Sequence, residues 1–143
     1  MKKILILLIV AILLLTGCGS DRNEDIVELE ERFFIAQFTH INQNADDYIG
    51  RTVRYEGLFR TIHWHATGED YHMIVRLTEG CCSPEGVMGF EIDLGNISPF
   101  ADDAWVEVVG ELEWYMVDDV RFLRLVATSV TELEERGTEL VTA

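Results

Sequence analysis

Trp105-Val106-Glu107-Val108-Val109-Gly110-Glu111-Leu112-Glu113-Trp114 decides the fold class. Val106, Val108, Gly110, Leu112 and Trp114 fall on one side of an extended chain, and Glu107, Val109, Glu111 and Glu113 on the other. This period-two pattern belongs to a strand with one buried face. Three glutamates on one strand face, with nothing beside them to retune their acidity, read as a solvated surface and not as a catalytic pair. Asp118-Asp119 is a hairpin turn into a further strand over Arg121–Val130.

Upstream, Val53, Tyr55, Gly57 and Phe59 alternate with Arg54, Glu56 and Leu58, and the central Gly57 marks a bulge or tight coil. Tyr71–Leu77 and Val87–Leu94 complete the set, with Met88, Phe90, Ile92 and Leu94 turned inward. Ile97 to Ala104 holds Ser98-Pro99 and Asp102-Asp103, leaving room for one helical turn at most. Phe33–Phe38 reads as an additional first strand, followed by a short helix capped by Thr39 and ending by Gly50. The fold class expected is mainly β: a five-stranded, OB-like Greek-key barrel with a short N-terminal helix, an open antiparallel sandwich being the alternative.

The first residues carry an address. Met1-Lys2-Lys3 precedes a twelve-residue apolar run, Ile4 to Leu15. As a helix that run would rise about 18 Å, short of the roughly 30 Å hydrocarbon core, so it reads as a signal-peptide h-region. It ends in Leu15-Thr16-Gly17-Cys18, which resembles a bacterial lipobox, a cleavage site ahead of a cysteine that takes a diacylglycerol with palmitate-type chains. The organisation expected is a signal peptide over 1–17, lipidated Cys18 and an acidic tether over 18–32, the barrel over 33–136 and a polar tail over 137–143. The location expected is the extracytoplasmic face of the cell membrane, with Cys18 as the lipid anchor.

Charge narrows the partners. The 143 residues hold 11 Lys+Arg and 26 Asp+Glu, a net charge of -15. Both lysines lie in the signal segment, so the chain from Cys18 on has nine arginines against those 26 acids, a net charge of -17. Such a surface repels phosphate backbones at long range, and no nucleic-acid partner is expected. A hydrophobic content of 48%, with seven Phe, four Tyr and three Trp, argues for a packed core and against disorder.

Asp47–Phe59, Val75-Arg76 ahead of Cys81-Cys82, Gly89-Phe90-Glu91 and Trp105–Leu112 together resemble the soluble C-terminal domain of YcgQ-type proteins, a family assigned as permease subunits. The resemblance covers roughly Tyr48 to Thr131, and the paired cysteine followed by Gly-Phe is its most specific part. It implies an OB-like fold, an extracytoplasmic location and a place beside a membrane permease, with no known reaction. The chain departs from the family in carrying a lipid anchor instead of transmembrane helices, and in having Glu85 where an Asp is usual.

Chemistry concentrates at two places. Cys81 and Cys82 are adjacent, and their Cα atoms, about 3.8 Å apart, sit below the roughly 4.4 Å lower edge for ordinary disulfides. Three readings follow: a strained, reducible vicinal bond, a soft-metal site, or two inert structural thiols. His63 and His65 share one face of an extended segment, and a hairpin would bring His72 beside them, so these three are the candidate helpers for a metal held by Cys81 and Cys82. No CxxC or HExxH spacing backs such a site. Asp102-Asp103 and Asp118-Asp119 are turn residues before they are calcium ligands. The function expected is a non-enzymatic, surface-anchored binding or accessory module without a cofactor, and the alternative is a thiol-based metal-binding or redox protein.

Overall fold

The alternating stretches form strands, all but the one after residue 85 longer than their sequence patterns. The computed structural model describes residues 26–65, 68–79 and 86–142. In chain order these are β1 (Val27–Glu28), a 3-10 turn (Glu31–Phe33), α1 (Phe34–Gln43), a second 3-10 turn (Ala45–Asp47), β2 (Thr52–Trp64), β3 (Glu69–Thr78), β4 (Gly86–Asp93), β5 (Trp105–Val117), β6 (Val120–Glu132) and β7 (Leu140–Val141).

β2 pairs antiparallel with both β3 and β5, β5 with β6 and β3 with β4, and a short parallel ladder between β4 and β6 (Glu91↔Arg124 to Asp93↔Val126) closes the ring. A closed five-strand ring with its single parallel seam between the third and fifth barrel strands has the OB-like arrangement, so the open sandwich is not adopted. Closure requires β2 to change partners along its length. Pairing with β3 runs from Trp64 only to Leu58, and pairing with β5 takes over from Leu58 to Thr52. Gly57 stands at that crossing, where a Cβ would lie 2.7 Å from the Val75 carbonyl oxygen. The register shift itself falls at Val109/Gly110, where β5 bends against β6.

Phe33–Phe38 is not a strand. It is the end of a 3-10 turn and the first half of α1, and Thr39 lies inside the helix and not at its start. Phe34, Phe38 and Ile41 recur at helical spacing, and that stripe plugs one end of the barrel, with Phe38 packing 4.7 Å from the Phe90 ring and Phe34 5.7 Å from Tyr55. Asn44 stops the helix, its amide and side chain both donating to the His40 carbonyl. β2, β4 and β6 start at this helix end, β3 and β5 return to it, and the Trp64↔Glu69 pair marks the opposite, hairpin end.

Packed elements continue on both sides of 33–136. β1 adds in parallel to β2 and buries Leu29, while β7 adds in parallel to β3 and buries Val141. Outside the barrel wall Leu58, Val75 and Trp105 form a second small core with Leu133. Arg76 ties the two termini to it and is almost wholly buried. Its Nε donates to the Glu56 carbonyl (2.8 Å) and its Nη1 to the Thr138 carbonyl (2.7 Å), with Glu31 Oε2 at 3.5 Å. The guanidinium lies between the Trp105 ring (4.8 Å) and the Phe34 ring (5.4 Å). Glu31 closes the clasp by accepting hydrogen bonds from the Thr138 amide and hydroxyl.

Candidate functional site

The hairpin at the end of β2 brings the three histidines into one neighbourhood but not into one site. His63 Nδ1 lies 2.7 Å from Asp70 Oδ1 on the facing strand, and its ring stands edge-on to His65 at 5.2 Å. His72 pairs with Thr61 in the ladder, and its ring stacks on buried Phe59 at 5.3 Å, away from the other two. Among the described residues no cluster of three or more His, Cys, Asp or Glu side chains could hold a metal ion. Cys18, Cys81 and Cys82 lie outside the described residues. The strand residues nearest to Cys81 and Cys82 in the chain, Thr78 and Gly86, pair with each other at the helix end, while His63 and His65 lie at the hairpin end. His63 and His65 therefore lie at the opposite end of β3 from Thr78, the strand's last residue before the cysteines.

A groove of about 410 Å³ opens where β3, β4 and β6 meet the segment after β4, with Tyr71, His72, Glu91, Asp93 and Arg124 in its lining. Its polar residues come from strand alternation: Phe90 and Ile92 turn into the core, so Glu91 and Asp93 turn out, and on β6 buried Leu125 leaves Arg124 outside. Arg124 donates from Nε to Glu113 Oε1 (2.8 Å), and its Nη1 lies 3.1 Å from Asp93 Oδ2. The guanidinium also lies over the Tyr115 ring at 4.6 Å. Burial alone would lower the pKa of Arg124, but the Glu113 hydrogen bond and the charges of Asp93, Glu113 and Glu91 hold it above its ordinary value. The Tyr115 hydroxyl donates to Glu91, and burial together with that carboxylate keeps the phenol protonated well above the usual range.

The groove is thus a net acidic, aromatic-sided surface whose one guanidinium is already shared between two carboxylates. Sequence reasoning missed this set. Its signal was the parity of Glu91 and Asp93 against Phe90 and Ile92, but which strand faced them was not legible. Of the three glutamates on β5, Glu107 is held by Arg54 (2.9 Å) and Glu113 by Arg124, and Glu111 is exposed. Across the described residues six of eight arginines are ion-paired with carboxylates. Asp118 and Asp119 take positive φ (47° and 65°) in a two-residue hairpin turn, as their turn reading requires. Asp103 (φ 69°) forms an ion pair with Arg60 at 2.8 Å.

No curated protein matches the chain. A solved structure, the dimeric N-terminal domain of the PriB protein from Thermoanaerobacter tencongensis, matches over 59% of this chain and 97% of its own at 17% identity. Its TM-score of 0.35 is too low for the likeness to carry any argument. The model of the DUF1980 C-terminal domain matches residues 17–138, most of the chain. This chain therefore belongs to the DUF1980 C-terminal domain family.

Proposed function

We propose that this protein is an extracytoplasmic lipoprotein, anchored through Cys18, that serves as a non-enzymatic binding or accessory module for a membrane protein of permease type. The observation that carries the reading is the groove at β3, β4 and β6. Its one guanidinium, Arg124, is held by Asp93 within the groove and by Glu113 beside it, and Glu91 accepts from the neighbouring Tyr115, so it offers shape and negative potential and no free guanidinium for a phosphate. Net charge supports the same division, since a surface of -17 favours a cationic protein surface over nucleic acid.

Carbodiimide crosslinking of intact cells tests it, because this reagent joins carboxylates to a partner's amines and the mature chain has no lysine of its own. A discrete adduct with a membrane protein, lost on Glu91→Arg, is expected. Adducts unchanged by Glu91→Arg would remove the groove from the proposal, and release of the wild-type protein into the medium would remove the anchor.

A further inference from the structure

Ten large apolar side chains stand exposed among the described residues, and they are not spread evenly. Ile62 and Trp64 lie on the hairpin end. The other eight lie at or next to those ends of their elements that face the helix end: Val87 opens β4, Met116 closes β5, Val120 and Phe122 open β6, Ile49 leads into β2, and Ile26, Phe33 and Leu140 belong to the short segments beside it. The tip of the β5–β6 hairpin is drawn to that end by Asp46, which accepts from Trp114 Nε1 (2.8 Å) and lies 3.8 Å from Arg121. Beside it, an apolar groove of about 380 Å³ opens between β1 and α1, lined by Val27, Phe33, Ala36, Ile41 and Tyr48. Scattered apolar residues need no explanation, but a one-ended distribution of this kind marks an interaction surface.

Chain length says what meets it. Cys18 is eight Cα steps from Ile26, at most roughly 29 Å when fully extended, and Ile26 is itself one of the eight exposed residues. We infer that the helix end of the barrel docks on the phospholipid interface, with Phe33, Ile49, Met116 and Phe122 entering the headgroup–acyl boundary. This rests on the lipid anchor of the proposed function and adds an orientation to it. The tether already confines the domain near the bilayer, so a patch too weak to bind membranes from solution suffices once the chain is anchored.

Asp46, Asp47, Asp118 and Asp119 lie at the same end, so the contact strengthens as anionic lipid is replaced by zwitterionic lipid or as salt is raised, the reverse of a polybasic surface. With the helix end down, β2 carries Trp64 and the histidine hairpin away from the bilayer.

The test uses the full chain, lipidated in a bacterial host and reconstituted into phosphatidylcholine vesicles with brominated acyl chains. Phe122→Trp and Ile62→Trp are compared after subtraction of the wild-type emission. Quenching several-fold stronger at position 122 than at 62, and weaker when phosphatidylglycerol is added, is expected. A triple Phe33→Ser, Met116→Ser, Phe122→Ser variant should float with vesicles but leave wild-type tryptophan emission unchanged by brominated lipid. Equal quenching at 122 and 62, or none at either in protein that floats, overturns the docking and leaves the anchor standing. Protein that does not float, with no diacylglycerol in its intact mass, overturns the anchor and the docking with it.

Discussion

Arg76→Ala should be the most damaging single change outside the apolar core. The substitution removes two charge-assisted hydrogen bonds, to the carbonyls of Glu56 and Thr138, and vacates the space between Trp105 and Phe34. Breaking a buried charged contact by deleting one partner costs about 3–5 kcal/mol, because the remaining groups are left desolvated and unpaired. Glu31→Gln removes the charge but keeps a hydrogen-bonding side chain, and the Glu31 side chain is 49% exposed, so its cost should be about 1 kcal/mol or less. Thr138 holds the Glu31 carboxyl below its usual range, with Arg76 adding to the effect. A depressed carboxylate contributes stability above its ordinary value near 4.5 and loses it as pH falls through the folded value, so Glu31→Gln should flatten the acid limb of the stability profile. Urea denaturation followed by tryptophan emission measures all three effects. An Arg76→Ala protein within about 1 kcal/mol of wild type would refute the clasp as an energetic feature, as would a larger loss from Glu31→Gln.

Tyr55 is buried, its hydroxyl donates to the Ile74 carbonyl (2.7 Å), and it accepts from the Phe90 amide (3.1 Å), so Tyr55→Phe should cost about 1–3 kcal/mol at neutral pH. Burial raises the Tyr55 phenol, which makes its contribution complete below the ordinary value near 10 and lost as pH climbs beyond it; the variant should therefore show a shallower alkaline loss in a pH series of urea midpoints, and an identical slope would count against this. Gly57→Ala places a methyl 2.7 Å from the Val75 carbonyl oxygen, and a cost of about 2–4 kcal/mol is expected by thermal melting, whereas an unchanged melting temperature would show that β2 has room there. Alkylation of native protein with and without reductant decides the state of Cys81 and Cys82: reductant-dependent labelling supports the strained vicinal bond, and labelling only after unfolding returns both thiols to a structural role.

How much of this was legible follows from the range of the interactions. Strand alternation is local, so β2 to β6 could be read from Val53, Ile74, Phe90, Val106 and Leu125 with their neighbours, and closure followed from the glycines that let strands coil. Phe33–Phe38 misled because a short continuous apolar run has no period of its own, and only the spacing of Phe34, Phe38 and Ile41 over a barrel end distinguishes helix from strand. β1 and β7, two residues each, are too short for any pattern, and their burial depends on Leu29 and Val141 in otherwise polar stretches. The Arg76 clasp joins groups 45 and 62 residues apart, and the Tyr115–Glu91 contact spans 24, so neither leaves a local signature. The histidines were rightly placed on one hairpin, but stacking on Phe59 turned His72 away from His63 and His65.

The groove's role is tested most directly by position-resolved photo-crosslinking in living cells, with a photoreactive amino acid at Tyr71 in the groove or at Thr128, which is exposed on β6 and whose hydroxyl bonds the Val109 carbonyl. The account predicts one reproducible membrane-protein adduct from position 71, weakened by salt and absent from position 128. Adducts of equal yield from both positions, or none from position 71 in protein that fractionates with the membrane, would contradict it.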